Sequence, residues 1–149
     1  MSRYYRMRAD INLTAIRKNI MTMKDKIPND EKVLAVIKAN AYGHGAIEVA
    51  NALRDVADYY GVAFIDEAIE LRKAGIRKPI LILGHTDDSL FETIVDYDIT
   101  QTIYSLRQAK ILSDVALKKG ARAKIHIKID TGMNRIGVKD IDEFKAPKL

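Results

Sequence analysis

The chain reads as an α/β protein built on a parallel sheet, and three observations predict it. Short apolar runs recur at residues 33–37, 60–64, 79–84, 99–103 and 124–130. Between successive runs, apolar residues return at helical spacing, so strand and helix alternate. The residues with the most distinctive chemistry stand directly after such runs, at the strand carboxyl ends where α/β folds bind ligands. With 149 residues, 48% of them hydrophobic and 30% charged, the chain has the composition of an ordinary globular domain with a sizeable core.

Residues 9–13 alternate apolar and polar, which predicts a short half-exposed strand. Thr14 is the expected N-cap of a helix whose stripe is Ile16, Ile20, Met23 and Ile27, and Pro28 stops it. The run 33–37 is continuous and predicts a strand buried on both faces. A loop follows from Lys38 to Gly45, in which Gly43 and Gly45 bracket His44 and admit positive φ. Ala46, Val49, Ala50, Leu53 and Val56 make the next helical stripe. After the strand at 60–64, Asp66 is the expected cap of a helix carrying Ala68, Leu71 and Arg72, which Gly75 closes. After the strand at 79–84, Ser89 starts a helix through Ile94. The run 99–103 is the most polar of the strands. Ser105 caps a helix carrying Leu106, Ala109, Leu112, Val115 and Ala116, ended by Gly120. The fifth strand is 124–130, and a last helix begins at Lys139 and is interrupted at Pro147.

Several function classes are disfavoured at once. The net charge of +5, from 25 basic and 20 acidic residues, is modest and spread along the chain, with no nucleic-acid motif. The absence of cysteine excludes a disulfide scaffold and a thiolate zinc site, and the three histidines lack metal-ligand spacing. No segment approaches the ~18 uninterrupted apolar residues of a membrane span. The basic start lacks the apolar stretch of a signal peptide, so the expected location is cytoplasmic.

Two constellations carry the chemistry. The first is Lys38, directly after the strand 33–37. A lone lysine at a strand end is most often a solvated surface residue. Against apolar walls, however, burial favours the neutral amine, the nucleophile for Schiff-base chemistry with an aldehyde. The second is the string Lys-Ile-Asp-Thr-Gly-Met-Asn-Arg-Ile-Gly over residues 128–137. Strand residues alternate faces, so His126, Lys128 and Asp130 point one way and Ile125, Ile127 and Ile129 the other. The isoleucines suit a helix-covered face, which turns Lys128 to the opposite side, where an unpaired charge is costly. His44 and His85 read as loop and structural residues, and His126 as a layer residue beside Lys128.

The string Val-Ile-Lys-Ala-Asn-Ala-Tyr-Gly-His-Gly over residues 36–45 resembles the cofactor-lysine signature of the alanine racemases. Residues 128–137 resemble that family's Lys-x-Asp-x-Gly-Met-x-Arg-x-Gly motif, and residues 8–20 its opening. The resemblance implies that Lys38 carries pyridoxal 5′-phosphate (PLP) covalently and serves as a catalytic base, with Tyr42 near the cofactor phosphate. It implies that Arg135 lies by the cofactor's phenolic oxygen and the substrate carboxylate, oriented by a Lys128 that many members carry carbamylated. It further implies an alanine substrate, a homodimer, D-alanine supply for the cell wall, and a second base, a tyrosine from the partner subunit.

For the fold, periodicity alone suggests a small doubly wound sheet. The resemblance implies instead a partial (β/α)8 barrel, about five of its eight strand–helix units. A full barrel needs about 250 residues. Residues 1–149 are therefore expected to be the amino-terminal portion of the PLP-binding barrel domain of a longer enzyme, lacking the rest of the barrel and the carboxy-terminal β domain. Such a piece is expected to be inactive alone and to self-associate through its edge strands. The alternatives are a serine racemase on the same scaffold and a non-catalytic PLP homeostasis protein, which lacks the Asn-Ala-Tyr-Gly-His-Gly continuation found here.

Overall fold

A computed structural model describes residues 8–28 and 30–140. Five strands, β1 (Leu34–Val36), β2 (Tyr59–Val62), β3 (Ile80–Ile82), β4 (Thr100–Ile103) and β5 (Lys124–Ile127), form one sheet in the order β1-β2-β3-β4-β5. Every neighbouring pair is parallel. A doubly wound sheet reverses its strand order at a switch point. This one never does, so it is a barrel-type sheet with β1 and β5 as its edges among the described residues, and not the small doubly wound sheet that periodicity suggests.

The helices are α1 (Leu13–Lys24), the one-turn α2 (Lys38–Tyr42), α3 (Ala46–Ala52), α4 (Ile65–Lys73), α5 (Phe91–Asp96) and α6 (Leu106–Lys118). Alternate strand residues share a face, and one face packs against the helices. Ala35, Ile37, Tyr60, Val62, Ile80, Ile82 and Ile103 join Ala50, Leu53, Ala68, Leu71, Phe91, Ile94 and Leu112 in one buried cluster. Each Val, Leu, Ile or Phe among them contributes about 1.5–3 kcal/mol by leaving water. Tyr60 also donates its hydroxyl to Ala50 O at 2.5 Å, tying β2 to α3, and burial pushes its pKa up to about 12.

On the opposite face, Val36, Gly61, Leu81, Thr100 and Lys124 lie in register across all five strands, a layer of the kind that fills a barrel interior. A Cβ on Gly61 would meet Leu34 Cδ2 at 2.8 Å and Leu83 Cδ1 at 3.3 Å, so the glycine makes room for its neighbours in this layer. Val36 on this face is 39% exposed, so β1 is covered on one side and not, as its continuous apolar run suggests, on both. Ile125 and Ile127 share the helix-facing side of the sheet with Gln101 and Ile103, as expected. They are 41% and 45% exposed, because no described helix covers that part of β5.

Several local expectations are corrected. Residues 9–12 form no strand, and the N-cap of α1 is Asn12, whose side-chain oxygen accepts from Ala15 N at 2.9 Å, not Thr14. Helix α1 ends at Lys24, leaving Ile27 outside it, and Met23 is exposed while Leu13, Ile16 and Ile20 pack on the core. Helix α4 starts after Phe64, so Asp66 sits in its first turn and does not cap it. A 3-10 turn (Asp88–Leu90), capped by Asp87, precedes α5 where Ser89 was expected to start the helix. Ser105 does cap α6, accepting from Gln108 N. The expected helix from Lys139 onward falls almost wholly outside the described residues.

Candidate active site

Lys38 follows β1 directly. Ile37 N still donates to Gly61 O at 2.9 Å, and the next residues leave the sheet in an unusual way. Ala39, Asn40, Ala41 and Tyr42 have φ of 51°, 54°, 51° and 55°, so α2 is a left-handed turn built without glycine. L-residues visit this region singly and at a cost of roughly 1–2 kcal/mol each. Four in succession persist only where the surroundings over-determine them, and here they do. Ala41 N donates to Ile37 O at 2.9 Å, Gly45 N to Asn40 O at 3.0 Å and Ala46 N to Asn40 Oδ1 at 2.8 Å. The His44 ring donates from Nδ1 to Ala41 O at 2.8 Å. The loop expected between Lys38 and Gly45 is thus an ordered turn, and His44 is one of its braces.

A carboxylate clamps the same turn from outside. Glu67, in the first turn of α4, accepts from Ala39 N at 2.7 Å through Oε1 and from Ala63 N at 2.6 Å through Oε2, with Phe64 N at 3.4 Å. The lysine is therefore flanked by a sheet hydrogen bond on one side and a carboxylate hydrogen bond on the other.

Lys38 is half-buried and lines a cavity of about 290 Å³ together with Ala63, Phe64, Leu83, Gly84, His85, Arg135 and Ile136. The two residues that the sequence singles out most strongly, 97 positions apart, thus share one cavity at the carboxyl ends of β1, β2 and β3. Its far wall is fixed through β4. Gln101, 1% exposed, accepts from Thr86 Oγ1 at 2.8 Å and donates to Gly84 O at 3.3 Å, so the polar character of this strand serves to hold the turn after β3. His85 Nδ1 lies within hydrogen-bond distance of Tyr104 Oη at 2.7 Å and of Gln108 Nε2 at 3.3 Å.

Arg135 reaches the cavity on a loop that folds back on β5. Asp130 N donates to Val138 O at 2.8 Å and Val138 N to Lys128 O at 3.0 Å. Asp130 Oδ1 accepts from Gly132 N and Asn134 N, both at 3.0 Å. Those backbone donors, Asn134 first, hold its carboxyl below the usual carboxylate range. A Cβ on Gly137 would lie 2.7 Å from Asp130 N, so this crossing requires glycine.

Lys128 is half-buried on the interior side of β5, beside His126, whose ring stands 6.1 Å from that of Tyr59. Among the described residues the Lys128 side chain has no hydrogen bond or ion pair, with Arg135 or otherwise. Tyr42 ends the left-handed turn 61% exposed, and neither it nor Lys128 lines the cavity. Sequence reasoning missed Glu67 and took His85 as merely structural. The available signal for Glu67 was its place three residues after Phe64, where a Glu side chain reaches back to the N-cap amide.

A lysine and an arginine lining one cavity with Ala63, Phe64, Leu83 and Ile136 fit an aromatic aldehyde that carries anionic groups, as PLP does. Residues 11–147 match the family model described as the N-terminal domain of alanine racemase. Alanine racemase 1 of Caldanaerobacter subterraneus subsp. tengcongensis is 48% identical over 91% of this chain and 35% of its own length. The alanine racemase of Clostridium perfringens (strain SM101 / Type A) is 48% identical over 87% of the chain and 33% of its own. The structure of alanine racemase from Clostridium difficile 630 superposes with a TM-score of 0.84 at 47% identity, covering 87% of this chain and 34% of that one. A histidine racemase from Leuconostoc mesenteroides subsp. sake superposes with a TM-score of 0.80 at 31% identity, covering 88% of this chain and 35% of that one. The chain spans about a third of the length of the curated relatives it matches.

Proposed function

The chain belongs to the alanine racemase family, by its N-terminal domain, and on that premise we propose that the protein carrying it interconverts L- and D-alanine with PLP, residues 1–149 forming the lysine-bearing portion of its barrel domain. The observation that carries this reading is Lys38 and Arg135 lining one cavity beside an ordered, strained turn. The cofactor, when bound, supplies the electron sink that makes α-proton loss feasible. The rest is the work of this chain's residues. Lys38 Nζ would hold the cofactor and, when its amine is free, would take or return the α-proton on one face. Arg135 would hold the cofactor and the substrate carboxylate through charge-assisted hydrogen bonds. Phe64 and Leu83 supply apolar wall to the cavity, and Tyr42, at the end of the left-handed turn, would serve the cofactor phosphate. A carbamylated Lys128 becomes an anion able to pair with Arg135, which suits a half-buried lysine without a side-chain partner among the described residues.

The base for the other face comes from a tyrosine of the partner subunit in a cytoplasmic homodimer, and the product feeds cell-wall precursor synthesis. The serine-racemase and homeostasis readings are not favoured by the 43–48% identities to alanine racemases. The test is borohydride reduction of the intact protein with PLP, followed by peptide mass mapping. The pyridoxyl group is expected on Lys38. A label on another lysine, or on none, refutes the assignment.

A further inference from the structure

We propose that Glu67 is the positioning residue for Lys38: its carboxylate joins the amide that follows the lysine to the loop that follows β2, and so aims the lysine side chain into the cavity. This rests on the reading of Lys38 as the cofactor lysine.

Three observations meet at this side chain. First, its two oxygens are divided between separate segments, Oε1 to Ala39 N at 2.7 Å and Oε2 to Ala63 N at 2.6 Å. A Glu at this helix position ordinarily serves only the N-terminal amides of its own helix. Here one oxygen is spent on a residue 28 positions earlier. Second, the residue it reaches is the first of the left-handed turn, with φ of 51°. With Ala39 released, the turn has less to hold it in a disfavoured region, and the Cα–Cβ direction of Lys38 is no longer fixed on both sides. Third, Ala63 and Phe64 line the same cavity as Lys38, so one carboxylate sets the spacing between the lysine and the opposite wall. Glu67 touches neither substrate nor cofactor in this reading. It acts through the backbone of Lys38.

The chemistry of a carboxamide makes a clean test. Glu67→Gln keeps the size of the side chain but leaves one acceptor oxygen. That oxygen stays where two donors converge, at Ala63 N and Phe64 N, and the NH2 group then faces Ala39 N, donor against donor. Helix α4 keeps its cap while Ala39 is released.

In the intact protein, hydrogen exchange read by mass spectrometry should accelerate about 10- to 100-fold at the Ala39 amide and stay near wild type at Ala63. In parallel, the rate at which borohydride traps PLP on Lys38 should fall by a similar factor, while the melting temperature moves by only a few degrees. Glu67→Asp, one methylene too short to span both amides, should resemble Glu67→Gln at Ala39. Unchanged exchange at Ala39 in both variants overturns the clamp. Accelerated exchange with unchanged trapping on Lys38 overturns the positioning role. A wild-type protein that traps no PLP on Lys38 refutes the cofactor-lysine reading itself, which the exchange measurement does not depend on.

Discussion

Replacing Ala39 by glycine should stabilise the protein, against the usual direction of an alanine-to-glycine change. Ala39 holds φ of 51° and is exposed, so its methyl group contributes little packing. The left-handed region costs an L-residue roughly 1–2 kcal/mol, which glycine does not incur. Glycine loses more backbone freedom on folding, a penalty of roughly 0.5–1 kcal/mol. The difference is a net gain of about 0.5–1 kcal/mol, and the Glu67 hydrogen bond to Ala39 N is untouched. With a urea slope of about 2 kcal/mol per molar, the unfolding midpoint should rise by roughly 0.3–0.5 M at unchanged slope. The control is Ala109→Gly in the right-handed helix α6, which should lose about 0.5–1 kcal/mol. If Ala39→Gly falls with Ala109→Gly, the left-handed turn is not the conformation of this segment, and the argument for a strained, clamped lysine fails with it.

Three further outcomes follow from the same geometry. Lys128→Ala in the intact protein should lower catalytic efficiency by about 10-fold or more, with partial rescue by acetate, since the variant cannot carry the proposed carbamate that would pair with Arg135; unchanged kinetics remove Lys128 from the site. Arg72→Met should cost about 2–4 kcal/mol in urea unfolding, because the buried guanidinium donates to the carbonyls of Ile76, Lys78, Tyr97 and Asp98, and the variant leaves all four without it. Asp58 is held below the usual carboxylate range chiefly by the Val33 N–H at 2.8 Å, with Lys24 assisting. The folded state thus prefers the ionised form, and its stabilisation is present above the unfolded carboxylate pKa of about 3.9 and lost as pH falls through the lower folded value. Asp58→Asn should flatten the acid limb of stability against pH, measured by urea midpoints between neutral pH and about pH 3.

The two strand-end motifs were legible because each is a chemical anomaly at the end of an apolar run, and Lys38 and Arg135 do meet in one cavity. The five strands were legible for the same reason, as Ile80, Leu81 and Ile82 illustrate with burial on both faces. Strand order was not, since periodicity carries no information on which strands pair, and only the family resemblance separated a barrel from a doubly wound sheet. The alternation at residues 9–13 is too short to distinguish a strand from a coil leading into Asn12. The left-handed turn was hidden because Ala-Asn-Ala-Tyr contains no glycine, and its causes are tertiary: Glu67 from α4 and the braces from Asn40 and His44. Glu67 itself was masked by Asp66, a better cap by residue type but two positions past the cap, while Phe64, which occupies the cap, has no side-chain acceptor.

The cavity's two long cationic side chains are placed by one device used twice. Freezing a lysine or arginine side chain costs about 1.5–2 kcal/mol in rotamer freedom. A site that ordered Lys38 by binding its amine would meet that cost and also occupy the amine. Here the backbone beneath each side chain is ordered instead. Glu67 takes the amide after Lys38, and Asp130 takes the amides of Gly132 and Asn134 just before Arg135. In both cases a carboxylate stabilises a segment with positive φ, Ala39 at 51° and Asn134 at 56°. The acidic groups face backbone donors and leave the amine and guanidinium without an acidic partner of their own among the described residues. Under the proposed reading, in which Lys38 holds a cofactor and then moves a proton, that arrangement gives it a fixed root and a free tip. A carboxylate paired directly with Lys38 Nζ would hold the amine charged and unreactive, whereas the amide-bound Glu67 constrains its direction without touching it.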